Sequence, residues 1–105
     1  MEYFIYIIRC EDDKLYTGIT TDYKRRFLEH KSGVRGAKWT KAFKPQKIEV
    51  LYKTDGRSNA LKLESKIKKL KKADKENLCS DKRSFKKYFK DIIDVNIYKF
   101  VRVKF

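Results

Sequence analysis

Residues 3–20 read YFIYIIRCEDDKLYTGIT, and the way this stretch divides decides the fold. Tyr3 to Cys10 is β-branched or aromatic on both faces until Arg9, the pattern of a strand covered on both sides. Glu11-Asp12-Asp13 makes a polar turn, and Lys14 to Thr20 returns as a second strand, so the stretch reads as a β-hairpin. Tyr6 lies on its first strand and Tyr16 on its second. Strand side chains alternate with period two, so the two tyrosines share a face only if paired residue numbers sum to an even value. A three-residue turn that pairs Cys10 with Lys14 meets that condition and sets Ile8 opposite Tyr16.

Outward from the hairpin, Asp22 is a good N-cap for a helix from Tyr23 to Ser32, which Gly33 closes. Residues 33–47 read as a basic loop holding two glycines, Trp39 and Pro45. Lys47 to Lys53 alternates as a third strand, Asp55-Gly56 is a turn, and Ser58 to roughly Lys72 is a run of good helix formers. Further on, Lys82 to Ile93 carries Phe85, Tyr88, Phe89 and Ile92 at helical spacing, and Val95 to Phe105 alternates as a terminal strand. So many apolar residues should pack rather than dangle. The terminal strand is expected to join the sheet edge, guarding it or offering it to a second copy of the chain.

The chain has 105 residues and 28 Lys+Arg against 14 Asp+Glu, a formal net charge of +14. One domain is the default at that length. A charge so large repels itself unless an anionic partner supplies counter-charge. Aromatic residues make up 14% of the chain and interleave with the basic ones, which favours nucleic acid over a membrane surface. Cys10 and Cys79 are the only cysteines, too few and too far apart for a cysteine zinc site or a disulfide framework. No stretch approaches a membrane span, and the start Met1-Glu2-Tyr3 lacks the features of a signal peptide. A reduced, cytoplasmic protein is expected.

Two helix faces carry residues that packing alone does not call for. In 100° steps from Tyr23, Phe27 falls at about 40°, His30 at about 340° and Arg26 at about 300°. A cation and an imidazole therefore share a narrow arc with two large aromatics. Arg26 can lay its stem on the core edge with its head in water, and His30 can be a satisfied boundary histidine. On the later helix, Ala60, Leu63, Ile67 and Leu70 define an apolar stripe that includes Glu64. Glu64 can pair with Lys68 at i,i+4, worth only about 0.3 kcal/mol. It can instead hold a divalent cation whose remaining shell is water and phosphate.

Phe4-Ile5-Tyr6, Tyr16-Thr17-Gly18, Arg26, His30 and Glu64 in the helix ALKLESKIKKL, in that order, resemble the GIY-YIG nuclease domain. The likeness is to its small stand-alone bacterial branch, the YhbQ-like proteins, and covers roughly residues 2–78. It implies an α/β (α+β) fold with a small three-stranded antiparallel sheet flanked by helices, to which this chain adds a C-terminal helix and strand. Residues 1–80 would form the nuclease domain and 81–105 an extension packed on it. The resemblance also implies metal-dependent hydrolysis of nucleic-acid phosphodiesters, with Mg²⁺ or Mn²⁺ on Glu64. Tyr6 and Tyr16 would be the motif tyrosines, Arg26 the phosphate-binding arginine, and His30 a partner of substrate or tyrosine. The chain departs from the pattern at Phe4, where the first motif has glycine, and at Ile19, where some members carry lysine. Asn77 is the nearest candidate for an asparagine that many members place after the glutamate helix.

Those residues suit the chemistry. A guanidinium at Arg26 forks onto phosphate, and Tyr6 is the candidate general base, needing help because a free tyrosine has a pKa of about 10. Tyr16 would orient water or phosphate, with plain core packing as the alternative. Arg35, Lys38, Lys41 and Lys44, with Trp39 among them, suit backbone binding and base stacking, and Lys68 and Lys71 would meet phosphates non-specifically. Trp39 can equally plug the core edge. DNA is the expected partner ahead of RNA, with a protein partner or a homodimer as further options and no membrane. The competing readings are a non-catalytic DNA- or RNA-binding module and a basic ribosome-attached protein.

Overall fold

The computed structural model describes residues 1–33 and 38–105, the side chains of Trp39 and Thr40 excepted. Its centre is strand β1, Glu2–Cys10, which pairs antiparallel with β2, Leu15–Thr20, on one side and with β3, Pro45–Asp55, on the other. Ile5, Tyr6, Ile7 and Ile8 are all buried, as expected for a strand covered on both faces. The hairpin register sets Ile8 opposite Tyr16 and Tyr6 opposite Gly18, so both tyrosines do share a face. Asp12 and Asp13 close the turn at φ 57° and 59°, a left-handed conformation that aspartate tolerates better than most residues.

A fourth strand, β4 (Lys99–Val101), pairs antiparallel with β3 and completes the order β2-β1-β3-β4. Along β3 the register against β1 shifts between Ile7 and Ile8, leaving Glu49 as an extra residue. That β-bulge reverses the alternation: Val50 packs with Ile5 and Ile7 on one face, while Ile48 packs with Ile8 on the other. The first face is covered by α3 (Arg57–Lys68), α4 (Lys72–Ser80) and α5 (Ser84–Phe89), through Ala60, Leu63, Ile67, Leu78, Phe85 and Phe89. The second is covered by α1 (Tyr23–Ser32), through Phe27.

Helix α1 runs over the expected residues. The Asp22 carboxylate accepts from the Arg25 amide, and Gly33 ends it at φ 80°. Elsewhere the boundaries differ. Part of the expected loop is a short helix, α2, Lys38–Ala42. The helix expected to run to Lys72 stops at Lys68, and α4 follows as a separate helix that periodicity did not signal. Its only fully buried residue is Leu78, too little apolar surface to write a stripe. Past α5 the Ile93 amide still donates to the Phe89 carbonyl at 3.0 Å, and the buried positions are Phe85, Phe89 and Ile93, while Ile92 is 56% exposed. The Asp94 carboxylate accepts from the Asn96 amide and winds a 3₁₀ turn over Val95–Ile97, which shortens the terminal strand and buries Tyr98 in place of Ile97. Among the described residues no helix is long and apolar enough to cross a membrane.

Arg9 ties these layers together at the turn end of the sheet. Its guanidinium donates to Glu49 on the bulge (Nε 2.9 Å, Nη2 2.5 Å), to both oxygens of Glu76 on α4 (2.6 Å each) and to Asp13 in the turn (2.9 Å). The hydrogen bond from Arg9 holds the Glu76 carboxyl below its usual range. A carboxylate so depressed stabilises the fold at neutral pH, and that contribution is lost as pH falls through its folded pKa. Arg9→Met should therefore cost about 1–3 kcal/mol at pH 7. Denaturant titrations from pH 7 down to pH 3 should show a shallower acid loss in the variant than in the native chain.

Candidate active site

Tyr6 emerges from the central strand and has to cross β2 to reach the outside of the sheet. It can do so because its register partner is Gly18. A Cβ at position 18 would stand 2.3 Å from the Tyr6 hydroxyl oxygen and 2.5 Å from Cζ, so the ring occupies the space where any other residue would have its side chain. The hydroxyl then meets His30 Nε2 at 3.0 Å. His30 lies in the last turn of α1 and is 1% exposed. Tyr16 closes the group, its ring centroid 6.3 Å from that of Tyr6 and 5.3 Å from that of His30.

Arg26 sits one helical turn before His30, which places both on the same side of α1. Its guanidinium lies near enough to the Tyr6 hydroxyl for its charge to act on it, and it pairs with Glu29 at 3.1 Å. Four residues that sequence reasoning singled out, Tyr6, Tyr16, Arg26 and His30, are thus in one cluster. Burial, and then the neighbouring Tyr16, push the Tyr6 phenol up, against a smaller downward pull from Arg26. Burial, and then the Arg26 charge, pull His30 down to about 4. At neutral pH the pair is a protonated phenol against a neutral imidazole, joined by one hydrogen bond.

Glu64 approaches from α3. It is half-buried, its charge is felt at the Tyr6 hydroxyl, and its carboxylate faces the Lys68 ammonium at 3.4 Å. Among the described residues no group of three or more His, Cys, Asp or Glu could hold a metal ion. One half-buried carboxylate is a poor site for zinc. It does fit Mg²⁺, which keeps several waters and is bound through one or two carboxylates together with substrate phosphate.

The expected binding residues are more dispersed. Lys38 and Lys41 are exposed on α2, Lys68 is turned to Glu64, and Lys71 is exposed between α3 and α4. Arg35 and the Trp39 side chain lie outside the described residues. Asn77 is not at the cluster: its amide donates to the Tyr88 hydroxyl at 2.8 Å, which in turn donates to Asp74 at 3.0 Å. Sequence reasoning missed Glu29, although its i,i+3 spacing from Arg26 was the available signal. It also missed why position 18 must be glycine.

Gly18→Ala tests that geometry. A methyl at 2.3 Å must displace the Tyr6 ring, so the Tyr6–His30 bond should break and stability should fall by about 1–3 kcal/mol. Imidazole nitrogen NMR shifts at pH 7 should report the loss of the His30 partner.

Residues 2–77 match the family model described as the GIY-YIG catalytic domain. A UPF0213 protein from Fusobacterium nucleatum is 46% identical over 99 residues, spanning 94% of this chain and 98% of its own length. A UPF0213 protein from Cupriavidus necator is 44% identical over 78 residues, 74% of this chain and 84% of its own. Among solved structures, the solution NMR structure of a UPF0213 protein from Bacillus halodurans aligns with a TM-score of 0.49 at 36% identity, covering 76% of this chain and 84% of that one. The tyrosines of β1 and β2 that meet over Gly18 thus lie in a matched catalytic domain, and the chain belongs to the GIY-YIG family of nuclease domains, among its small UPF0213 members.

Proposed function

We propose that the protein is a divalent-metal-dependent endonuclease that hydrolyses phosphodiester bonds of nucleic acid, DNA ahead of RNA, in cytoplasmic repair or recombination. The observation that carries this reading is the buried Tyr6 hydroxyl held 3.0 Å from His30 Nε2 beside the Arg26 guanidinium. A core tyrosine needs only some acceptor for its hydroxyl. A tyrosine held between a neutral imidazole and a guanidinium has a path for its proton.

Each residue has a task in such a reaction. Arg26 would fork onto the non-bridging phosphate oxygens, in competition with Glu29. Tyr6 would take a proton from the attacking water at its hydroxyl oxygen while passing its own to His30 Nε2. At rest that transfer is strongly uphill, since Tyr6 is pushed up and His30 down. A bound phosphate changes the balance, because its charge cancels the Arg26 charge that helps hold His30 neutral. Tyr16 would orient the water or the phosphate. Glu64 would hold Mg²⁺ or Mn²⁺, which when bound supplies positive charge to the phosphate and the leaving oxygen.

A non-catalytic nucleic-acid-binding module is the competing reading, and the Glu64–Lys68 pair favours it, since an ordinary helix surface would show the same pair. Labelled single-stranded, duplex and branched DNA and RNA, incubated with Mg²⁺ or Mn²⁺, separate the two. Glu64→Gln should lower cleavage by about 100-fold or more while binding in metal-free buffer holds or tightens slightly. Arg26→Ala should damage cleavage far more than binding, because many lysines share the binding. Cleavage unchanged in Glu64→Gln would remove the metal assignment.

His30 makes a separate prediction. Its folded pKa of about 4 lies below the ordinary value of about 6.5, so the unfolded chain binds the extra proton first. Stability should therefore fall as pH drops from about 6.5 towards 4. Thermal melts of His30→Gln should be flatter over that range.

A further inference from the structure

On the sheet face opposite Tyr6, at the β3–β4 edge, the C-terminal segment builds a second concave surface. Tyr52 pairs in register with Ile5 and Phe100 and shares their face, whereas Tyr6 and Leu51 point the other way. Tyr52, Phe85, Tyr98 and Phe100 line a cleft of roughly 300 Å³, with Lys82 and Lys86 at its mouth. That volume is at the small end of the range for ligand sites, about 300–1,000 Å³.

The cleft is built from planar rings. Tyr52 stands 4.8 Å from Phe85 and 6.5 Å from Phe100, and Phe85 stands 6.0 Å from Tyr98. Tyr98 is fixed by the hydrogen bond from its hydroxyl to the Asn59 carbonyl on α3, at 2.7 Å. Phe100 is the most exposed of the four rings, at 44%, and the flexible Lys82 side chain lays its ammonium over it, 4.4 Å from the centroid. Arg83 is committed to Asp81 at 3.1 Å, which leaves Lys82 and Lys86 as the charges offered outward. Apart from Tyr52, every ring and lysine of the cleft lies beyond the matched catalytic domain.

We infer that this cleft binds an unpaired nucleotide of single-stranded nucleic acid, its base against Phe100 and its phosphates on Lys82 and Lys86. Exposed aromatic rings beside cations are the elements of single-strand binding, because every base has a face to stack and every link a charge. Charge selects the occupant: on a chain of +14, an aromatic cleft with lysines at its mouth repels cationic or basic partners. The two functional surfaces lie on opposite sides of the sheet, so a rigid duplex over the Tyr6 face does not enter the cleft. The sheet edges are three strand spacings apart, about 14 Å, within reach of a short flexible strand. The inference rests on the nucleic-acid part of the proposed function and not on its cleavage chemistry.

Fluorescence anisotropy in metal-free buffer tests it, with labelled dT10, an abasic ten-mer of equal charge, a DNA duplex and free dTMP. Phe100→Ala should weaken dT10 binding by about 5-fold or more while leaving the abasic strand and the duplex unchanged. Lys82→Glu, an exposed change that leaves the rings in place, should weaken dT10 and the abasic strand together. Unchanged dT10 binding in both variants overturns the inference, as does an equal loss for dT10 and the abasic strand in Phe100→Ala. Wild-type binding of dTMP as tight as that of dT10 also overturns it, by making the cleft a mononucleotide site. Failure of every oligonucleotide to bind the native chain would instead remove the nucleic-acid reading as a whole.

Discussion

Tyr6 reaches His30 only by lying across a neighbouring strand, and the candidate site depends on that crossing. A tyrosine in the middle of a central strand would ordinarily point into a core and stop there. Here the register places Gly18 under the ring, and the missing side chain becomes the passage for the hydroxyl. The three-residue turn sets the register, the caps of α1 set where His30 stands, and burial sets the charge states of both partners. Each depends on the others. Moving the turn by one residue would turn Tyr16 away from Tyr6, and shifting α1 would take His30 and Arg26 away together.

The cluster is electrostatically quiet as it stands. A phenol pushed up and an imidazole pulled down keep the proton on Tyr6, and Glu29 occupies Arg26. A phosphate would compete for Arg26 and lift one of the two influences that keep His30 neutral. The basic surface would have a different task. With net charge +14, attraction to a polyanion would be spread over many lysines and would be steeply salt-dependent, so under the proposed function single lysine changes would affect binding less than a change at Arg26 would affect cleavage.

How much was legible in the sequence differs from element to element. Helix α1 was readable end to end, because Asp22 and Gly33 have side-chain-specific reasons to stand at its ends. The hairpin register was readable from parity and turn length. The bulge at Glu49 was not, since an extra residue inside an alternating run leaves no compositional mark. Helix α4 was hidden because one buried leucine writes no stripe, and the terminal strand was overestimated because Asp94 winds a 3₁₀ turn inside an alternating segment. At the candidate site, the motif order pointed to Tyr6, Tyr16, Arg26, His30 and Glu64, and the first four stand together. What spacing did not show was the local competition: Glu29 on Arg26 and Lys68 on Glu64.

Single-turnover cleavage by Tyr6→Phe tests the central claim most directly. Phenylalanine keeps the ring over Gly18 and removes only the oxygen that meets His30. If Tyr6 moves the proton, cleavage should fall by about 100- to 10,000-fold, with nucleic-acid binding unchanged and stability lowered by about 1 kcal/mol for the lost hydrogen bond. Cleavage at the native rate by a folded Tyr6→Phe protein would contradict the account and leave Tyr6 as a core residue whose hydroxyl His30 merely satisfies.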